Sequence, residues 1–280
     1  MRSSALMARS VILGVAATVA LWASAEAQWP KQPARDVPRT ADGEPDLNAP
    51  PRTADGKPDL SGVWRAGGAS FARGRPTGFT PPGPDVFQAT SAGVLPYVGA
   101  PRNDYGEKLY LARRASDGRD NPRGLCLPVG IMQLHMTALP AKYVQTPRQL
   151  IILYESNGER REIFTDGRSL PTNDPQPWWN GYSVGRWEND VLVVETTHFR
   201  DGGWLDGVGN PLTDAAKITE RFRRPAYGRM EIDITIDDRK AYLRPFTVRW
   251  NQTLAIDEEL IESVCQDNNH FPPAPNRGKQ

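Results

Sequence analysis

Apolar and β-branched residues recur in short runs along the second half of the chain, and each run ends in residues that favour turns. The clearest run is 230–236, in which Met or Ile at every second position alternates with polar residues. This alternation predicts a strand with one buried and one solvated face. Similar runs predict strands at 60–65, 143–146, 150–155, 161–165, 182–187, 191–199, 216–223, 246–254 and 260–265.

Turn chemistry between these runs predicts how neighbouring strands are joined. Asn157-Gly158, Asp166-Gly167 and Asn189-Asp190 each follow a run and favour hairpins. Apart from a short helix near 105–114, no helical period interrupts the runs, which argues against a βαβ layout. The pattern predicts a mostly β fold, either an antiparallel β-barrel or a sandwich. Eight or nine strands would close a barrel large enough for one small ligand.

The first 27 residues have the pattern of a signal peptide. Basic residues precede an apolar stretch at 11–22, and Ala25-Glu26-Ala27 fits a cleavage site. An uncleaved anchor is the alternative, although this stretch is shorter than the ~20 residues of a spanning helix. The sequence therefore predicts a periplasmic or secreted protein with no stable membrane span after cleavage.

The mature chain is predicted to form a single antiparallel β domain at 59–270, after a Pro-rich leader at 28–58 and before a flexible tail at 271–280. The leader contains a near-duplication, in which PRTADGEPDL at 38–47 returns as PRTADGKPDL at 51–60. The first copy is interpreted as linker and the second as the entry to the domain. Residues 66–141 are predicted to be a long loop that wraps the domain or forms a lid.

Charge and composition exclude several functions. The 34 basic and 33 acidic residues leave a net charge of +1, so no strong field attracts nucleic acid. Two cysteines and three scattered histidines predict no metal site, and common phosphate, dinucleotide and metalloprotease motifs are absent, so no cofactor is predicted. In an oxidising compartment Cys126 and Cys265 would form a disulfide; two separate buried thiols are the alternative.

Gly62-Val63-Trp64 resembles the entry to the first strand of lipocalins and related calycin barrels. In that family the Trp plugs the closed end of the barrel, often under an Arg from the last strand. The resemblance implies a ligand-binding barrel, with Arg249 as the candidate for that Arg. The long Pro-rich insertion after the triplet departs from the lipocalin pattern.

A second resemblance covers about half of the chain. It is similar to a family of exported bacterial proteins and implies export and a β fold, but no activity. The segments that carry it include Cys126-Leu-Pro, Ile152-Leu-Tyr-Glu, Gly181-Tyr-Ser-Val-Gly-Arg-Trp-Glu, Leu192-Val-Val-Glu-Thr, Thr219-Glu-Arg-Phe and Cys265-Gln-Asp-Asn-Asn.

Glu220 is the leading candidate for acid/base chemistry. It lies on the apolar face of the run at 216–222, and a buried carboxylate needs a partner, hydrogen bonds or a raised pKa. It would act as a general acid/base or orient a ligand. The alternative is a structural ion pair with Arg161, Arg186 or Arg249.

His198 and Asp206 are the second catalytic candidates. His198 ends the run at 191–199, and Asp206 follows in a Gly-rich loop, so the pair would suit proton transfer. The alternative for His198 is a solvent-exposed position at the end of a strand. His135 is interpreted as a core or loop histidine.

Aromatic residues in the middle of the chain predict the rim of a small-molecule pocket. Trp179, Tyr182 and Trp204 are the candidate ligand-binding residues, together with their neighbour Trp178. Arg168 would bind a ligand carboxylate, although turn chemistry alone explains the Asp-Gly before it. Plain packing beneath loops is the alternative for the aromatic residues.

Three functions remain open. The first is an exported barrel that binds a small apolar or aromatic molecule, for which we expect an enclosed, largely apolar cavity of at least ~300 Å³. The second is a cofactor-independent hydrolase, hydratase/lyase or isomerase, for which Glu220 and His198 should converge on one cavity. The third is an envelope interaction protein without a ligand.

Overall fold

A computed structural model describes residues 37–48, 51–66, 86–88, 100–173 and 175–268. The predicted signal peptide and tail, and residues 67–85 and 89–99 of the predicted long loop, lie outside the described residues. Of the helices in the described ranges, none is long and apolar enough to cross a membrane.

The described chain is mainly β structure. The helices are α1 (Asp104–Ala115) and α2 (Ile131–Met136), with 3-10 turns at Pro122–Leu125 and Cys265–Asn268. The strands are β1 (Gly62–Ala66), β2 (Val86–Gln88), β3 (Ala141–Gln145), β4 (Gln149–Tyr154), β5 (Arg160–Phe164), β6 (Tyr182–Glu188), β7 (Val191–Thr197), β8 (Gly203–Trp204), β9 (Pro211–Leu212), β10 (Lys217–Ala226), β11 (Arg229–Asp237) and β12 (Phe246–Leu254).

Nine of these strands close into a barrel, in the order β1-β3-β4-β5-β6-β7-β10-β11-β12 and back to β1. Strand β2 adds to β12 in parallel, and β8 and β9 form a separate pair. The predicted mostly β fold is confirmed, and the barrel rather than the sandwich is the form adopted.

The wholly antiparallel prediction needs one correction, which follows from the strand count. Direction alternates at each antiparallel junction, so a ring with an odd number of strands needs a parallel junction. That junction is β5–β6. The hairpin predicted at Asp166-Gly167 is therefore wrong, because the chain crosses over through 165–181 before it enters β6 alongside β5.

Alternating burial explains why most strands lie close to their predicted bounds. Every second residue of β10 and β11 faces the core, and Phe222 lies opposite Ile232 in the ladder. The strand predicted at 260–265 is wrong. Only a bridge between Ser156 and Ser263 forms there, because Ile261 and Val264 are solvent-exposed and leave no buried face to hold a ladder.

Helix α2 is the element that the pattern did not predict. All six of its residues are buried, so it carries no amphipathic period that would mark a helix. It packs into the barrel, where the ring of His135 meets the edges of Tyr154 and Phe222. The helix thereby brings a polar side chain into the core.

Trp64 closes the entry to β1. It is buried, and its indole N–H donates to the Leu60 carbonyl at 3.0 Å. The guanidinium of Arg224, from β10, lies 4.7 Å above the indole ring. The expectation that Arg249 would cover the Trp is therefore wrong, because Arg249 forms hydrogen bonds to Asp233 on the neighbouring strand.

Both copies of the duplicated leader segment form the same small loop. Thr40 N donates to Glu44 O at 2.9 Å, and Thr53 N donates to Lys57 O at 2.8 Å. Both loops contact the barrel: Leu47 O accepts from the backbone N–H of the β10–β11 turn, whereas Arg52 pairs with Asp190 at 2.8 Å.

The predicted disulfide between Cys126 and Cys265 is confirmed, and its Cα atoms are 5.5 Å apart. It joins the segment before α2 to the C-terminal 3-10 turn. The backbone N–H of Cys265 also donates to the side chain of Asn157, at the tip of the β4–β5 hairpin. The disulfide and this hydrogen bond together hold the end of the described chain against the segment before α2 and the hairpin.

Candidate functional site

The parallel junction between β5 and β6 is a short seam in the barrel wall. Its register comprises two residue pairs, Ile163 with Ser183 and Phe164 with Val184, although β5 has five residues and β6 seven. The segment that leads into β6 diverges from β5 at Gly181, whose φ is +65°. A Cβ there would lie 2.6 Å from the Thr196 methyl group, so only glycine permits this turn.

A cavity of about 510 Å³ opens where the strands diverge. We call it the seam cavity. Its walls come from the β4–β5 hairpin, the edge of β5 and the turn that leads into β6. The lining residues are Pro128, Asn157, Gly158, Glu159, Arg160, Arg161, Glu162, Phe164, Trp178, Trp179, Asn180, Gly181, Tyr182 and Ser183.

One side of the seam cavity is an aromatic wall. Phe164 stacks on Tyr182 with ring centroids 5.4 Å apart, and Trp178 lies at the same distance from Tyr182. Trp178 is 40% exposed, which is high for an indole, and Trp179 is half-buried beside it. Such exposed aromatic surface around a concavity suits contact with an apolar or aromatic group.

The floor of the cavity includes Arg161 and Ser183, which belong to a buried ion-pair cluster. Arg161 forms two hydrogen bonds to the Glu220 carboxylate, one of them at 2.9 Å from Nη1 to Oε1. It also donates to Ser183 and Thr196, at 3.1 and 2.9 Å. His135 Nε2 lies 2.9 Å from Glu220 Oε1. We call these five residues the core polar cluster.

The environment holds Glu220 in its ionised form. Burial by itself would raise its pKa, but the positive charge of Arg161 and the hydrogen bonds from His135 and Arg161 outweigh burial and lower it to about 2. A carboxylate so strongly stabilised does not exchange a proton near neutral pH, which argues against general acid/base work.

The third wall of the seam cavity is polar. The carboxylate of Glu159 accepts hydrogen bonds at 3.2 Å from the backbone N–H of Val129 and from the Asn180 side chain. Burial raises the pKa of Glu159, and these hydrogen bonds offset part of that effect. The Asn180 Oδ1 atom is buried and has no hydrogen-bond partner among the described residues.

The structure does not place Glu220 and His198 in one cluster. Glu220 is bonded to His135 and Arg161, whereas His198 Nδ1 lies 2.8 Å from Thr197 Oγ1 and its ring meets the edge of Trp178. Glu220 forms an ion pair with Arg161, which was the alternative to a catalytic role in the sequence analysis. A catalytic role for either residue remains a prediction.

Asp206 organises its own loop. It is fully buried, and its Oδ1 accepts hydrogen bonds from the backbone N–H groups of Val208, Gly209 and Asn210 at 3.0–3.1 Å. Burial raises its pKa, and those hydrogen bonds oppose the rise. These hydrogen bonds give Asp206 a structural role in its loop. A catalytic role for Asp206 stays a prediction.

The four candidate ligand-binding residues are divided among separate places. Trp179 and Tyr182 line the seam cavity, but Trp204 is buried and lines a different cavity of about 230 Å³ beside Arg113. Arg168 lines a neighbouring cavity of about 450 Å³. Its guanidinium is bonded to Asp166 at 2.7 Å and to the Tyr182 hydroxyl at 3.1 Å, so its charge is already compensated.

Sequence reasoning missed Glu159, Asn180 and Ser183 as lining residues, and it did not connect His135 with Glu220. Glu159 follows a hairpin signal and Asn180 follows two tryptophans, so each has a local explanation that hides its role. Among these residues, only Arg161 could be assigned to the site from the sequence, because it lies on the inward face of its strand.

Among the described residues, no group of three or more His, Cys, Asp or Glu side chains is arranged to hold a metal ion. Comparisons with protein-family models, curated proteins and solved structures give no match. The two resemblances therefore rest on their residues alone. The fold and site define a closed nine-stranded mixed β-barrel with an aromatic-walled cavity at its parallel seam.

Proposed function

We propose that the protein binds a small molecule with an apolar or aromatic body in the seam cavity. The observation that carries this proposal is the aromatic wall of Trp178, Trp179 and Tyr182 facing a concavity of about 510 Å³. This volume lies within the usual range for small-ligand sites. The neighbouring polar wall, with Glu159 and Asn180, would orient the bound molecule.

The hydrogen bonding of the core polar cluster favours binding over catalysis. Every nitrogen of the Arg161 guanidinium is bonded to protein atoms, and both Glu220 oxygens are used as well. Groups so fully engaged support the floor of a site rather than react there. The cofactor-independent enzyme is therefore the weaker reading.

Export and a relation to lipocalins belong to the same proposal. The disulfide is compatible with an oxidising compartment, which supports the periplasmic or secreted location that the leader predicts. A closed barrel with Trp64 beneath an arginine supports the lipocalin resemblance. The proposed site nevertheless lies at the seam in the wall and not in an enclosed barrel interior.

A dye titration tests the proposal. We expect 1-anilinonaphthalene-8-sulfonate to bind the full chain with a rise in its fluorescence. The double variant Trp179→Ala/Tyr182→Ala should weaken this binding at least about tenfold, because large aromatic contacts dominate such sites. Native mass spectrometry of protein from the periplasm would show whether a small molecule co-purifies with the wild type and not with this variant.

The matched control is Tyr105→Ala. Tyr105 is 46% exposed on α1 and does not line the seam cavity, so its loss should leave dye binding unchanged. Equal dye affinity in the wild type and the double variant would refute the proposed site.

A further inference from the structure

We propose that the ligand of the seam cavity is a short extended peptide, which adds to the open edge of β5 as an extra strand. This inference rests on the proposed function and names the chemical class of its ligand. The backbone of β5 is exposed in the cavity between the hairpin and the seam.

Hydrogen-bond alternation fixes which backbone groups of β5 face the cavity. Tyr154 N donates to Glu159 O at 2.8 Å, so that pair exchanges bonds within the β4–β5 hairpin. In an antiparallel pair such residues alternate, and the next bonded pair is therefore Ile152 with Arg161. Arg160 and Glu162 lie between bonded positions, so their N–H and C=O groups point away from β4 and towards the seam.

The short β6 ladder uses only part of this edge. The pairing of Ile163 with Ser183 takes the Glu162 carbonyl, with Ser183 N as donor. The Glu162 N–H and both backbone groups of Arg160 have no backbone partner among the described residues. These backbone donors and acceptors have the spacing that matches the hydrogen-bonding groups of an extended peptide.

The dimensions and side chains of the site fit two or three peptide residues. The open edge, from Arg160 to Glu162, is about 7 Å long at the rise of an extended strand. The aromatic wall beside it would receive one side chain, since alternate side chains of an added strand face the same way.

Charge makes the site selective for shape and backbone rather than for a charged side chain. Arg160 and Glu162 are exposed neighbours of opposite sign, 3.9 Å apart, and Arg161 is neutralised by Glu220. The Glu159 carboxylate already accepts hydrogen bonds from the Val129 N–H and the Asn180 side chain. We therefore expect an uncharged peptide with a central aromatic residue to bind best.

The test uses acetyl-Ala-Phe-Ala-amide and its backbone N-methylated analogue as competitors of the naphthalene dye, with the full chain. We expect the unmodified peptide to displace the dye, and the methylated analogue to do so at least tenfold more weakly. Glu162→Pro removes the seam-facing N–H without touching the β4 ladder, and it should weaken peptide binding at least tenfold while dye binding persists.

Tyr105→Ala lies outside the seam cavity and is the control for this test, so it should bind the peptide like the wild type. Dye binding without displacement by the peptide, or equal displacement by the methylated analogue, overturns the peptide inference and leaves the proposed function standing. If neither dye nor peptide binds, both proposals fail. The methylated analogue keeps the test decisive even if Glu162→Pro does not fold.

Discussion

At the scale of single residues, the core polar cluster is the unusual feature of this barrel. Arg161 and Glu220 are almost wholly buried among apolar strands, where an isolated charge costs several kcal/mol. The two residues neutralise each other, and Ser183, Thr196 and His135 use the remaining hydrogen-bonding positions. The cluster is stable only as a complete set.

Glu220→Ala should therefore destabilise the protein by about 3–5 kcal/mol, because it leaves the Arg161 guanidinium buried without a counter-charge. The measurement is guanidinium chloride unfolding followed by tryptophan fluorescence. Replacing both residues in Arg161→Met/Glu220→Met should recover a large part of the loss, since no charge is then stranded. A double variant as unstable as Glu220→Ala would contradict this account.

The pKa of Glu220 predicts a pH dependence of stability. Its pKa falls from 4.5 to about 2 on folding, so its contribution is complete above about pH 4.5 and is lost as the pH falls towards 2. One such group changes the free energy of unfolding by at most about 1.4 kcal/mol per pH unit. Unfolding measured between pH 2 and 6 should show this slope in the wild type.

Glu220→Gln provides the comparison for that slope. The raised pKa values of Glu159, Asp206 and Asp238 act in the opposite direction, so the difference between the two proteins isolates Glu220. Parallel curves for wild type and variant over this range would show that Glu220 does not titrate as described.

At the scale of elements, the site is a consequence of how β5 meets β6. The crossover at 165–181 brings β6 parallel to β5, and the turn at Gly181 keeps the chain apart from β5 until the two residue pairs form. The divergence opens the seam, exposes the edge of β5 and presents the aromatic residues of the turn. The cavity therefore depends on one backbone conformation.

Gly181→Ala should destabilise the protein by about 3 kcal/mol and weaken dye binding, because a methyl group there meets Thr196, Phe199 and Thr197 below 3 Å. Gly167→Ala is the control. Gly167 also has a positive φ, +86°, but no atom lies within 4 Å of its added Cβ, so only the backbone cost of about 1 kcal/mol applies. Equal losses in the two variants would mean that the close contact at Gly181 is unimportant.

At the scale of the whole molecule, the disulfide ties together segments that are 139 residues apart in sequence. It joins the turn before Pro128, which lines the seam cavity, to the C-terminal turn that bonds Asn157. Two lining positions of the cavity, Pro128 and Asn157, are thus connected through the disulfide and one hydrogen bond.

Removal of the disulfide in Cys126→Ser/Cys265→Ser should lower the free energy of unfolding by about 5 kcal/mol, the chain-entropy value for a loop of this length. Unfolding with and without reductant measures it: reductant should destabilise the wild type and leave the variant unchanged. A thiol assay of the unfolded wild type should find no free thiol before reduction. Two reactive thiols would refute the bridge.

The strands were predictable because burial on one face repeats every second residue. Phe246–Leu254 has the bounds that its alternation predicts, and Glu220 lies on the buried face as its apolar neighbours indicate. Helix α2 was missed because a segment that is buried on all sides has no informative period. The strand predicted at 260–265 was wrong because its apolar residues Ile261 and Val264 remain exposed.

The alternation and the turn residues of the sequence were enough to predict the β class of the protein and the inward face of most strands. The parallel junction, the seam cavity, the disulfide and the contact of His135 with Glu220 became known from the folded barrel. The reason is physical: alternation and turn chemistry act between near neighbours in the chain. Which strand edges meet is settled by closure of the whole ring, where an odd number of strands requires one parallel seam.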